Sequence, residues 1–182
     1  MRQPGSVSGM AASIVTRTGD AGTTALLFGE RVSKGHPRVQ IYGALDEAGA
    51  LLTAARAQLA APFAQSLRER QRLLVTLSSE LACLPAHWPK LEERGGLVTA
   101  EQLDDLDRAC AALEGLGLRF VAWIVDLDPG PALVEVARTV VRRAESMLWA
   151  HLNGEVRPEC AACLNRFSDF LWLTARAAQP EG

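Results

Sequence analysis

The chain has 182 residues, a net charge of −2 with both signs interspersed, and few aromatics. That length suits one domain able to bury roughly 70% of its unfolded surface. The charge balance offers no basic face for nucleic acid, and no apolar run is long enough to span a bilayer.

Residues 1–12 are small and polar, with no apolar core of a secretory signal. They read as a disordered tail ahead of a single domain over 13–182, with the cytoplasm as the default location. The run Thr16-Arg17-Thr18-Gly19-Asp20-Ala21-Gly22-Thr23-Thr24 follows. Two glycines three apart let the backbone turn sharply and aim successive N–H groups into one concavity, ringed by hydroxyls and a guanidinium. That chemistry suits an anion such as a polyphosphate, although an ordinary polar loop has the same composition. The common phosphate loop is excluded, because its G-x-x-x-x-G-K-[ST] spacing is absent.

Apolar periodicity predicts five helices. The first covers about 37–60, with Tyr42, Leu45, Leu52 and Ala55 on one side. A second, about 63–84, repeats Leu67, Leu74, Leu77, Leu81 and Leu84 until Pro85 ends it. The stretch 85–96 reads as a connection. Thr99 and Gln102 form a capping box that opens a third helix to about 113, where Gly115 and Gly117 stop it. Residues 119–127 read as extended. The fourth helix, about 132–153, places Leu133, Val136, Val140, Ala144 and Met147 toward the core, and the fifth covers about 158–178. Such elements describe an all-α antiparallel five-helix bundle.

The four cysteines include one C-x-x-C, Cys160 and Cys163, without a second pair or a histidine at zinc spacing. That pair reads as small residues near a helix start rather than half a zinc site or a redox pair, and no disulfide framework is implied.

Charged residues cluster on two helices. Arg138, Arg142 and Glu145 fall at i, i+4 and i+7, with Glu135 one turn upstream. Two arginines one turn apart can clamp phosphate oxygens, and a neighbouring carboxylate can orient one or hold a metal. The same stripe also fits a solvated face laced with i,i+4 pairs. On the fifth helix Asn165 and Asp169 share a face, and a mid-helix Asn suits either a polar core position or a phosphate or cation ligand. Asp46, one turn after Tyr42, is placed to reach an arginine on another helix or another subunit.

Taken together and in this order, the runs resemble the PduO-type corrinoid adenosyltransferases. The N-terminal part is carried by Thr16 to Asp20 with Gly22 and Thr23, by Gly29-Glu-Arg-Val-Ser-Lys34, Arg38-Val, Tyr42-Gly43 and Asp46-Glu47. Ala137-Arg138-Thr139 with Arg142-Arg143-Ala144-Glu145 looks like the family's fourth-helix run, and Leu164-Asn165-Arg166 with Ser168-Asp169 like its last-helix run. The resemblance implies a homotrimeric five-helix bundle with ATP at the subunit interface. It implies transfer of the 5′-deoxyadenosyl group of ATP to Co(I) of a reduced corrinoid, such as cobalamin, with release of triphosphate. On this likeness Thr16, Arg17, Thr18, Gly19, Asp20, Gly22, Thr23, Thr24, Lys34, Arg142 and Asn165 contact ATP. Glu145 assists, and Asn165 and Glu145 lie toward Mg²⁺ on the phosphates. Asp46 and Arg138 would pair across the interface and hold the corrinoid side as the catalytic pair.

The chain departs from the family pattern at several positions. A lysine of the glycine loop is Ala21, an Asn is Gly49, and a His one turn before Arg138 is Glu135. The family's Phe-x-x-Pro-Gly-Gly stretch is replaced by residues 120–131, leaving Phe120 and Trp123 as candidates for the lower corrin face. Most departures fall on the corrinoid side, which keeps open a diverged paralogue that binds ATP or a corrinoid for delivery or regulation.

Overall fold

Prolines stand in the first turn of every α-helix but α4 in the computed structural model, which describes residues 15, 17–118 and 126–179. Helix α1 spans Pro37–Arg56, α2 Ala61–Leu81, α3 Trp88–Glu92, α4 Ala100–Glu114, α5 Pro129–His151 and α6 Pro158–Ala177. Proline tolerates the first turn because its missing N–H would have no intrahelical partner there. Pro62 therefore lets α2 start at Ala61, and Pro129 and Pro131 extend α5 upstream of the predicted 132. At α1 the His36 side chain accepts from the Arg38 N–H, and at α4 both bonds of the predicted Thr99–Gln102 capping box are present.

Helix α1 packs chiefly on α5; α5 also packs on α6, α2 on α1, and α4 on α6. The seam between α1 and α5 is made by Ile41, Ala48, Leu52 and Ala55 against Val134, Ala137, Val141 and Ala144, all fully buried. Alanines at the contact let the helix axes approach closely. Gly130 extends that logic to the first turn of α5. A Cβ there would lie 2.7 Å from the Gln58 carbonyl oxygen and 2.9 Å from Leu59 Cδ2. The α5 stripe is thus Val134, Ala137, Val140, Val141, Ala144 and Leu148. Val136, expected in the core, is 47% exposed because the helix is rotated to present Ala137 to α1.

The described residues are mostly helical, as expected, and two features amend the all-α five-helix reading. Strands β1, Thr23–Ala25, and β2, Arg31–Ser33, pair antiparallel with Thr24 opposite Val32. The short helix α3 occupies part of the stretch read as a connection, so the described residues hold six α-helices. Residues 119–125, part of the expected extended stretch, lie outside the described residues, as does the 1–12 tail.

Two buried charges tie these elements together. Arg38, 1% exposed, donates through Nη1 to the carbonyls of Leu81 and Cys83 and through Nη2 to the Glu155 carbonyl at 2.9 Å. Those bonds satisfy acceptors at the end of α2, where helical partners run out. Glu80 accepts from the Val98 N–H at 2.7 Å and from Arg157 at 3.3 Å, while burial pushes its carboxyl pKa up.

All four thiols are free and buried. Burial raises Cys160 well above the ordinary thiol range, Cys163 to about 12 and Cys110 to about 11. Thiolate chemistry at these positions is therefore suppressed. Ellman titration of the native protein at pH 8 is expected to find no fast-reacting thiol, and all four after unfolding. Because each folded-state thiol pKa is raised, this stability contribution is complete below the unfolded value. It is lost as pH rises through about 11 for Cys110.

Candidate functional site

The glycine run folds as the entry to the β-hairpin. Gly22 adopts φ +80°, its N–H donates to the Gly19 carbonyl at 3.1 Å, and its own carbonyl accepts from the Lys34 N–H at 2.9 Å. Only a residue without Cβ takes that left-handed conformation cheaply. Arg31 braces the turn by donating to the Thr18 carbonyl at 2.8 Å and to Thr23 Oγ1. Lys34 lies across Gly19, its Cε and Nζ each 3.3 Å from where a Cβ would stand. The Lys34 ammonium therefore sits against the turn that carries Asp20 and leads into Thr23 and Thr24. Arg17, at φ +58°, is exposed beside it, while Thr16 lies outside the described residues. The hairpin is fastened to the end of α2 by the Leu27 N–H bond to the Ala82 carbonyl. Around it Leu27, Phe28 and Trp88 pack on Cys83, Leu91 and Leu97.

The second assembly is a cleft of about 670 Å³ along α5 and α6, lined among others by Arg138, Thr139, Arg142, Arg166, Asp169 and Trp172. The core stripes of both helices face inward, so their polar stripes meet at this surface. Arg142 is exposed and makes no ion pair with a described residue. Its five donors are available to an incoming anion. One turn further on, Asn165 Nδ2 donates to Glu145 Oε1 at 3.0 Å, bridging α6 to α5. Arg166 is held by Asp107 of α4 and by Asp169 at 3.1 Å, so it is already neutralised where Arg142 is not. Hydrogen bonding to Asp107 is the main cause that raises the Arg166 pKa.

The structure thus brings Arg138 and Arg142 into one cleft and couples Glu145 to Asn165. It places Gly19, Asp20, Gly22, Thr23, Thr24 and Lys34 on a separate hairpin. Asp46 joins neither group. It is exposed on α1 and lines a different groove of about 1000 Å³ between α1 and α2, next to Tyr42. Within the chain Arg138 is paired instead with Glu135, at 2.8 Å. Phe120 and Trp123, the candidates for the lower corrin face, lie outside the described residues. Sequence reasoning missed Arg31 as the brace of the glycine turn and Arg176 as a second partner of Glu135. Arg176, a lone arginine in the last turn of α6, reads as an ordinary partner of the helix dipole, and Arg31 stood inside the Gly29–Lys34 run with nothing in the sequence to link it to the turn. Among the described residues no group of three or more His, Cys, Asp or Glu side chains is placed to hold a metal by itself. Nor is any helix there long and apolar enough to cross a membrane.

A family profile for cobalamin adenosyltransferase matches residues 14–178. The chain is 39% identical over 169 residues to the corrinoid adenosyltransferase PduO of Citrobacter freundii, covering 91% of this chain and 49% of that protein. It therefore spans about half the length of the PduO proteins it matches. A corrinoid adenosyltransferase of Mycobacterium bovis is 37% identical over 176 residues, covering 93% of this chain and 90% of that protein. In structure the chain is similar to a variant PduO-type ATP:corrinoid adenosyltransferase from Lactobacillus reuteri complexed with cobalamin and ATP. The TM-score is 0.78 at 25% identity, covering 91% of this chain and 90% of that one. With the profile spanning nearly all the described residues, the chain belongs to the cobalamin adenosyltransferase family.

Proposed function

We propose that this protein transfers the 5′-deoxyadenosyl group of ATP to Co(I) of a reduced corrinoid and releases triphosphate. The observation that carries the reading is Arg142, left without a carboxylate partner in a cleft whose other arginines are paired. Co(I) is itself the nucleophile, so no side chain need attack. The bond that forms is Co–C5′, the bond that breaks is C5′–O, and the electron pair leaves on the triphosphate. What the protein contributes is position and charge: it fixes C5′ in line with the metal and stabilises the leaving phosphates. Lys34 and Arg142 are suited to that second task.

The hairpin and the α5–α6 cleft are separate parts of one chain, which supports a homotrimer in which the hairpin of one subunit completes the cleft of the next. Asp46, exposed on α1 without a described partner, is then free to meet Arg138 of a neighbour. Glu145 and Asn165 offer one carboxylate and one amide oxygen. That set is too small to retain Mg²⁺ alone and is suited to Mg²⁺ carried on ATP phosphates. The ion there would neutralise charge on the leaving group.

The test mixes the protein with Mg-ATP and chemically reduced cobalamin under anaerobic conditions and follows the visible spectrum. A photolabile adenosylated product formed over many turnovers is expected. Tight ATP binding without product on any reduced corrinoid would instead favour a diverged binding paralogue, the reading that the altered 120–131 segment and Ala21 keep open.

A further inference from the structure

A charge cluster on the wall of the cleft is organised around a residue to which the proposed reaction gives no part. Arg138 donates through Nε to Glu135 Oε2 at 2.8 Å and through Nη2 to Glu135 Oε1 at 3.2 Å. From α6, Arg176 donates to the same Oε1 at 3.3 Å. The three side chains are 14%, 18% and 5% exposed, so this is not a loose surface pair. The Arg176 guanidinium also lies over the Trp172 ring, 4.9 Å from its centroid, and Trp172 lines the cleft beside Arg138.

The geometry has a consequence for Arg138. A two-pronged contact through Nε and Nη2 fixes the plane of the guanidinium, whereas a single contact leaves it free to turn. It uses one edge of the head and leaves Nη1 uncommitted. Glu135 cannot rotate away without giving up its bonds to both arginines, one on its own helix and one on α6. Two formal positive charges against one negative leave the cluster with an excess positive charge at the cleft wall, which favours an anionic ligand. We propose that Glu135 is a positioning residue for Arg138. Arg176 fixes the carboxylate, the carboxylate fixes the guanidinium, and the remaining donors of Arg138 are held ready for Asp46 of a neighbour and for substrate. The effect on turnover rests on the adenosyl-transfer reading; the fixing of Arg138 does not.

Two measurements test it. In steady-state assays Glu135→Gln is expected to lower kcat by about tenfold or more, with the KM for ATP held within about twofold, as for a misplaced catalytic group. In an Arg138→Ala background the same change should add less than about twofold, because residues acting as one unit are not additive. Glu135→Asp, which keeps the charge, should recover part of the loss. Full kcat in Glu135→Gln, or an undiminished loss in the Arg138→Ala background, would overturn the proposal. Independently of activity, the Arg138 Nε–H resonance, identified by its loss in Arg138→Lys, should be protected from exchange in the unmodified protein and unprotected in Glu135→Gln. A freely averaging Arg138 head in the unmodified protein would also overturn it. If no adenosylated product forms, the functional reading fails and the resonance alone decides.

Discussion

Replacing Arg142 with alanine is expected to lower kcat/KM for ATP by about 10²–10³-fold while leaving the fold intact. The separation of these effects follows from its surroundings. Arg142 is exposed and pairs with no described carboxylate, so its removal strands no buried partner. Its neighbours Ala144, Val140 and Val141 carry the packing of α5 and are untouched by the change. Arg142→Lys should recover only part of the loss, since an ammonium keeps the charge but not the planar fork that grips two phosphate oxygens. Titration calorimetry with Mg-ATP and circular-dichroism melting together make the check. An unchanged ATP affinity would remove Arg142 from the site, and a lowered melting temperature would mean that its role is structural.

Arg38 is the opposite case. Arg38→Met is expected to destabilise the protein by about 3–5 kcal/mol, since each buried carbonyl left without a donor costs about 1–3, out of a typical domain stability of about 5–15. Methionine fills much of the volume but leaves the carbonyls of Leu81, Cys83 and Glu155 without the donors that Arg38 supplies. The Glu155 carboxylate, 60% exposed, contributes far less than those carbonyls. Glu155→Ala, which preserves the carbonyl, should therefore cost under about 1 kcal/mol. Urea unfolding of both variants separates the two contributions. Equal losses would assign the stability to the ion pair and contradict the carbonyl account.

How far the molecule was legible from sequence depends on the scale of the feature. The five long helices were readable because each repeats its apolar residues over several turns; on α6, for example, Leu164, Phe167, Leu171 and Ala175 are all fully buried. The capping box at Thr99 was equally plain, since its two residue types and their spacing define it. The β-hairpin was not, because strands of three residues are too short to display alternation, and the glycines that announce a turn do not say what flanks it. Helix α3 escaped for the same reason. On α5 the period was correct but its phase was misplaced at Val136, because small Ala137 rather than larger Val136 faces α1. The arginines differed most. Arg38 and Arg142 look alike in sequence, yet one is locked under three carbonyls and the other opens onto a cleft. That difference is set by residues far away in the chain.

The α1–α5 seam has a consequence for how the chain comes off the ribosome. Glu47 and Arg143, which join the two helices by an ion pair, stand 96 positions apart. Helix α1 is therefore made early, while the surface that covers Ile41, Ala48 and Leu52 is made late. Through most of synthesis α2 is the other neighbour able to shelter that stripe. Closure of the core has to wait for nearly the whole chain, as for any long-range pairing. A nascent chain stalled before α5 would carry a naked apolar face, a natural target for chaperones and the point at which aggregation competes with folding.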